Sequence, residues 1–363
     1  MLALARAFGQ SSPLPILISM KGNGMSRHSI LKLAMIFAAV LIQFLPLSRP
    51  ASAHQSAPPA SANYPDFAAW LVDLHAEAIA KGIKPEVLDA AFDGVALIPR
   101  IIELDRKQPE FIQTFEEYMD RRITAKLVEE GRRVYGENRT LLKRVGERFG
   151  VQPRFIVALW GVETRFGAYT GGFPVVSALA TLAFDGRRSA YFRGELLDAL
   201  TILDQGHIGV GEMMGSWAGA MGQSQFMPSS FLRFAIDFDG DKRRDIWTTK
   251  ADVFASAANY LAKSGWRDDQ TWGRQVLLPA GFDVALVDFK VVKRLSEWQR
   301  LGVRRADGGD LPKRDLESSL VLPGGEGGPA YVIYNNYRTI LKWNRSNYFA
   351  VSVGHLADLI GDR

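Results

Sequence analysis

With 363 residues, 47% of them hydrophobic and 23% charged, the chain carries enough apolar material for a packed core of two or three domains and is not a disordered polymer. It holds no cysteine, which excludes disulfides, thiol catalysis, thiolate metal sites and a lipid anchor on an N-terminal Cys. The formal net charge of +5 resides in Arg6, Lys21, Arg27, Lys32 and Arg49, ahead of residue 54 and with no Asp or Glu among them, so the remainder is neutral and offers no electrostatic case for nucleic acid.

Residues 1–53 read as a secretory signal peptide. Met25-Ser26-Arg27-His28 gives a basic start, residues 33–47 an apolar run, and Ala51-Ser52-Ala53 a small-x-small cleavage site. Residues before Met25 lack this pattern, so the true start is expected at 25. The apolar run is short for a bilayer span and contains Gln43 and Pro46; an uncleaved membrane anchor is the alternative. Export without disulfides fits a bacterial envelope protein held together by packing, hence a periplasmic location.

A Pro/Ala/Ser-rich linker is expected at 54–63 and an N-terminal helical region at 64–137. There Phe67, Trp70, Leu71, Leu74 and Ala78 recur at helical spacing, and Pro85 opens a short helix carrying Val87, Leu88 and Phe92. Further helices are predicted near 114–135, 139–149, 154–166, 189–203, 229–237 and 252–264. Between 267 and 335 the texture changes to β-prone runs at 276–278, 284–287, 319–322 and 331–334, separated by Gly, Pro and Asp, which predicts a small β-rich insertion. Helical character returns at 349–360, in a C-terminal segment at 336–363. The fold class is therefore α+β, mainly α.

On the helix predicted near 154–166, Phe155, Leu159 and Glu163 follow one another at i, i+4 along an apolar face that also holds Ile156 and Trp160. That periodicity points a carboxyl group at the core, where desolvation raises its pKa and keeps it protonated near neutral pH, as a general acid needs. Spacing alone does not separate this reading from a structural ion pair with Arg165 or Arg187. Gly161, Gly167, Gly171 and Gly172, with Thr164, Tyr169 and Thr170 among them, form an irregular small-residue stretch that suits a substrate lying close to backbone. Asp185, Glu195 and Asp198 lack such an apolar setting and are assigned structural or surface roles.

Further on, Asp237, Asp239, Asp241 and Asp245 occupy positions 1, 3, 5 and 9 of an EF-hand-like loop between two helical segments, with Arg243 offering its backbone carbonyl. Lys242 stands at the usual Gly position and Thr248 at that of the closing Glu. Four carboxylates so close repel one another without a cation, which favours a structural Ca2+ over a bare acidic turn.

The run Gly161-Val162-Glu163-Thr164-Arg165-Phe166-Gly167, followed by Ala178-Leu179-Ala180-Thr181-Leu182, resembles the catalytic block of the lytic transglycosylase B family. Three more blocks carry the resemblance: residues 187–196 beginning Arg187-Arg188-Ser189-Ala190-Tyr191, residues 218–230 around Gly222-Gln223-Ser224-Gln225-Phe226, and Ala258-Asn259-Tyr260-Leu261. The resemblance runs from about 67 to 360. It implies a lysozyme-like catalytic core at 138–266, completed by 336–363, with an additional helical domain and a small β domain. It also implies that Glu163 protonates the glycosidic oxygen between N-acetylmuramic acid (MurNAc) and N-acetylglucosamine (GlcNAc), then serves as base for attack by the muramic C6 hydroxyl, giving a 1,6-anhydro end without water or a catalytic cofactor.

By the same resemblance, Ser216 and Gln225 bond the sugar near the scissile link, Tyr118, Tyr260, Asn344 and Tyr348 line the groove, and Arg187 and Arg188 grip stem-peptide carboxylates. Asp252 closes the calcium loop. Trp343 stands where a Tyr is expected and Phe349 where another aromatic hydroxyl is, which preserves stacking and leaves hydrogen bonding open. The implied partners are peptidoglycan strands and the cell-wall synthesis machinery, for a monomer. Two rival readings stay open: a hydrolytic muramidase and a non-catalytic peptidoglycan-binding module.

Overall fold

The computed structural model describes residues 67–106 and 113–361; the expected leader and linker lie outside them. Three helices come first, α1 (Phe67–Ala80), α2 (Pro85–Phe92) and α3 (Pro99–Arg106), then α4 (Phe115–Arg122), α5 (Ala125–Glu137), α6 (Arg139–Phe149) and α7 (Pro153–Thr164). After α7 come a short strand β1 (Phe173–Pro174), the helices α8 (Val175–Asp185) and α9 (Ser189–Asp204), strand β2 (Met214–Gly215), and helices α10 (Pro228–Phe234) and α11 (Lys250–Lys263). The segment predicted near 114–135 as one helix is two. Thr124 breaks it by accepting the Leu127 N–H on its hydroxyl and capping α5.

Two apolar cores divide these helices. One joins α4, α5, α6, α7 and α11 to the C-terminal helices α13 (Asn335–Trp343) and α14 (Asn347–Gly361). The other joins α1, α2 and α3 to α8, α9 and α10. The helices within 64–137 thus split between the two, because Trp70, Leu74, Leu88 and Ile101 bury against α8 and α9 while Phe115, Leu127 and Val134 bury against α7 and α14. Helix α8 shows no readable stripe because it is apolar on nearly every side, with Val175, Val176 and residues 178–183 all buried.

The β-rich insertion forms as predicted between α11 and α13. Strands β3 (Gly273–Leu277), β4 (Lys293–Arg294), β5 (Arg304–Arg305), β6 (Glu317–Val321) and β7 (Ala330–Ile333) make one antiparallel sheet in the order β4-β6-β7-β3-β5. It encloses a small core of its own around Val276, Trp298, Leu320 and Val332, with Leu295 and Trp298 supplied by helix α12 (Leu295–Arg300). One β-prone run is not a strand: Val284–Leu286 is a 3₁₀ turn, because Asp283 accepts the Ala285 N–H at 3.0 Å and Val284 is left exposed. No helix among the described residues is long and apolar enough to cross a membrane.

Candidate active site

Helix α7 is buried on every side from Phe155 to Val162, packed by α5, α6, α11 and α14. Pro153 starts it, where a missing N–H costs nothing. It stops just after Glu163. Arg165 and Phe166 both adopt left-handed backbone, with φ of 48° and 58°, a conformation that costs a non-glycine residue about 1–2 kcal/mol. The reversal folds the Phe166 ring back onto Gly161, where any Cβ would meet it at 2.6 Å, so only glycine fits. Glu163 is thereby placed at the last turn of a buried helix, partly open, with backbone strain stored beside it.

Its carboxyl stands between two spaces. Outward lies a cleft of about 390 Å³ lined by Tyr118, Arg121, Arg122, Val162, Arg165 and Tyr169 among others. Inward lies a small pocket walled by Ile156, Leu159, Trp160, Val253, Phe254 and Trp343. Burial pushes the Glu163 carboxyl up to about 7, while a hydrogen bond from Trp343 and the charge of Arg122 pull it back. The Trp343 indole N–H donates to Glu163 Oε1 at 2.7 Å, so the departure from Tyr keeps a hydrogen bond at this position. Arg122 donates to the Val162 carbonyl. Neither Arg165 nor Arg187 pairs with Glu163; Arg187 is held by Asp105 at 2.7 Å.

The other named residues are placed differently from one another. Tyr118 lines the cleft, and its ring lies 5.3 Å from that of Tyr348. Tyr260 stands behind the acid: its ring packs edge-on against Trp343 at 4.7 Å, and its hydroxyl donates to the Lys342 carbonyl at 2.6 Å. Ser216 and Gln225 shape the loop before α10. Ser216 Oγ accepts the Ala220 N–H at 3.0 Å, and the Gln225 amide donates to the Thr170 and Gly222 carbonyls at 3.0 Å each, from a left-handed backbone with φ 48°. Asn344 is exposed and accepts the Ser346 N–H. Phe349 is core. Arg187 and Arg188 converge on the carboxylate of Asp105, which is only 2% exposed, and neither lines the Glu163 cleft.

Sequence reasoning passed over Gln223, Arg122 and Asp105. Gln223 stitches the loop to α7: its side-chain oxygen accepts the Trp160 indole N–H at 2.9 Å, its amide donates to the Trp247 carbonyl at 2.7 Å, and its own carbonyl accepts from Thr164 Oγ1 at 3.0 Å. It lies inside one of the quoted blocks, yet nothing in the spacing ranks it above Gln225. Asp185 pairs with Arg106, Glu195 accepts two bonds from Ser229 at the start of α10, and neither reaches the cleft.

In the acidic loop, carboxylate oxygens of Asp237, Asp239 and Asp252 lie within 4.8 Å of one another. Asp252, fully buried in the first turn of α11, accepts the N–H groups of Phe238 and Asp245 at 2.7 and 2.8 Å. Burial, with Asp239 and Asp237 adding to it against those two bonds, pushes it up to about 6. Asp241 and Asp245 spend their carboxylates locally, Asp241 on the Arg243 N–H and Asp245 on Trp247, Thr248 and Thr249. Lys242 takes the left-handed backbone that glycine supplies in the usual loop, with φ 73°.

A helical core with a lone, partly buried carboxylic acid at the end of its central helix, beside a small β domain, defines a class: the lysozyme-like lytic transglycosylases. Residues 66–358 match the family described as transglycosylase SLT domain, and the chain belongs to it. It is 33% identical over 249 residues to membrane-bound lytic murein transglycosylase B of Escherichia coli (strain K12), covering 67% of this chain and 66% of that protein. Pseudomonas aeruginosa SltB3, solved in complex with NAG-anhNAM-pentapeptide, superposes with a TM-score of 0.80 at 42% identity over 82% of this chain and 80% of its own. Escherichia coli Slt35, solved in complex with calcium, superposes at 0.69 with 28% identity over 83% and 95%.

Proposed function

We propose that this chain cleaves the β-1,4 bond from MurNAc to GlcNAc in peptidoglycan and closes a 1,6-anhydro ring on the muramic sugar, with Glu163 as the only ionisable catalyst. One observation carries the reading: among the described residues lining the cleft and the inner pocket, Glu163 is the sole carboxyl group. Ordinary glycosidases need two, one for the leaving group and one for water or the sugar carbon. One suffices when the nucleophile is part of the substrate, since a tethered hydroxyl arrives already oriented.

With a value near 7, the acid is largely protonated at and below neutral pH. It gives its proton to the leaving glycosidic oxygen as the C1–O bond breaks. The resulting carboxylate takes the proton of the C6 hydroxyl as that oxygen bonds to C1, which restores the acid. Tyr118 and Tyr348 form an aromatic wall for a sugar ring, while Ser216, Gln225 and Asn344 bear on the strand through the loops they shape. Arg187 and Arg188 act on stem carboxylates only if they leave Asp105, so their part in binding is the weakest of the set.

Mass spectrometry of digested sacculi tests the reaction. Anhydro ends that disappear with Glu163→Gln support it; products heavier by one water mean a hydrolytic muramidase, and no products at all a binding module.

The loop reading is also proposed here: Asp237, Asp239 and Asp252 supply three carboxylates to a structural Ca2+, with Asp241, Asp245 and the Arg243 carbonyl as further oxygen donors. Three carboxylates drawn together, one of them fully buried, fit a divalent cation better than mutual repulsion. The protein works as a periplasmic monomer on glycan strands, alongside the cell-wall synthesis machinery.

A further inference from the structure

An indole N–H can donate a hydrogen bond and cannot accept one. Trp343 offers that hydrogen to Glu163 Oε1 at 2.7 Å, and its place is set by neighbours rather than by the contact itself. The rings of Tyr260 and Phe226 pack on it at 4.7 and 5.2 Å, and the Tyr260 hydroxyl grips the carbonyl of the preceding residue, Lys342. Trp343 lines the inner pocket and not the cleft, whereas Glu163 lines both. Among the described residues, Glu163 Oε2 receives no protein hydrogen bond.

We propose that Trp343 is a positioning residue that holds the acidic proton of Glu163 on Oε2, the oxygen left to the cleft and the substrate. The inference rests on Glu163 being the acid. With the proton on Oε1 the indole would meet a hydroxyl oxygen, a poorer acceptor than the carbonyl oxygen that Oε1 becomes when the proton sits on Oε2, so that arrangement is disfavoured. A tyrosine hydroxyl at this position could turn and accept, which would let the proton sit on either oxygen. Through the cycle, Oε2–H protonates the leaving oxygen, Oε2 takes the C6 hydroxyl proton back, and the bond to Oε1 stays in place, strongest while the carboxylate bears charge. The other ionisable groups facing Glu163 are Tyr118, Arg121 and Arg122 from α4, and Arg165 and Tyr169 from the segment after α7; α11 presents only Val253, Phe254 and Ala257.

The test reads the indole itself. In protein labelled with 15N at tryptophan, the Trp343 N–H resonance, assigned by its loss in Trp343→Phe, should move with pH through a midpoint near 7 and stand still in Glu163→Gln. Trp343→Phe should lower kcat on the order of tenfold to a hundredfold, the worth of one bond to a charged group, with KM little changed. The basic limb of the pH–rate profile should move upward, since a donor that favours the carboxylate is gone. Benzothienylalanine at 343, the same fused ring without the N–H, should reproduce both effects if Trp343→Phe folds poorly. A Trp343 resonance that ignores pH, or a variant with wild-type kcat and an unmoved limb, overturns the inference. In that event an inactive Glu163→Gln enzyme leaves the role of Glu163 standing, and an active one removes both.

Discussion

Glu163 and the group Asp237, Asp239 and Asp252 are both carboxyl sites seated against buried helices, and their surroundings differ in ways that suit the opposite uses proposed for them. Around Glu163 the cleft supplies no second carboxylate, and the nearest polar partner is a neutral indole donor. Its charge is discouraged by burial, and the group is left as a proton carrier near neutrality. In the loop, three carboxylates crowd within 4.8 Å while backbone N–H groups of Phe238, Gly240, Lys242 and Asp245 point at them. Those dipoles favour the charged form, against the burial that pushes Asp252 up to about 6, and the proposed cation would offset the rest. Under the proposed function, the same side-chain chemistry serves catalysis where acids are kept apart and metal binding where they are gathered.

The largest expected effect breaks the first half of that contrast. Glu163→Gln keeps the shape and the indole contact but removes the proton, and activity on sacculi should fall on the order of a thousandfold or more. The fold should not suffer. The folded value near 7 lies above the ordinary 4.5, so stability contributed by Glu163 is fully present below about 4.5 and is lost as pH rises to about 7. At pH 8 the Gln variant should therefore melt at or above the wild type. A clear drop in Tm there would mean the carboxylate is structural. Next in size is the pH profile: wild-type activity should fall as pH rises through about 7, where the acid ionises.

Much of the contrast is legible in the sequence, for a physical reason. Phe155, Leu159 and Glu163 share a helix face, and Asp237 and Asp239 stand at loop spacing, so local periodicity and spacing report these, whereas Asp252 enters only through the family resemblance. What the chain does not reveal is made by distant segments meeting. Trp343 bonds to a residue 180 positions away, and Asp105 meets Arg187 across 82. The split of the N-terminal helices between two cores is equally invisible, because amphipathic faces say that a helix packs without saying on what. Asp241 and Asp245 match the loop pattern by position, yet their oxygens answer to neighbouring N–H and hydroxyl groups.

A smaller effect tests the second half of the contrast. Calcium at about a hundred times its Kd should stabilise the fold by about 2.7 kcal/mol, and EDTA should reverse it. For a domain of this size that is a Tm shift of several degrees. The double change Asp237→Asn with Asp239→Asn should abolish the calcium response while leaving the basic limb of the pH–rate profile in place. A Tm indifferent to both calcium and EDTA would leave the acids as a hydrogen-bonded turn.

The smallest expected effect concerns the wall of the cleft. Tyr118 faces the space in front of Glu163 and is paired with the ring of Tyr348 at 5.3 Å, so it can offer a sugar a flat apolar surface without touching the acid. Ring packing of this kind is worth about 0.5–1.5 kcal/mol. Tyr118→Ala should then raise KM a few fold and leave kcat and the limb near 7 where they are, because uniform binding is lost and the acid is untouched. Tyr118→Phe separates the surface from the hydroxyl, and should behave as wild type if stacking is the contribution. If Tyr118→Ala moves the limb instead, the ring helps keep water from Glu163, and the isolation that sets this carboxyl apart from the loop acids extends to the cleft wall.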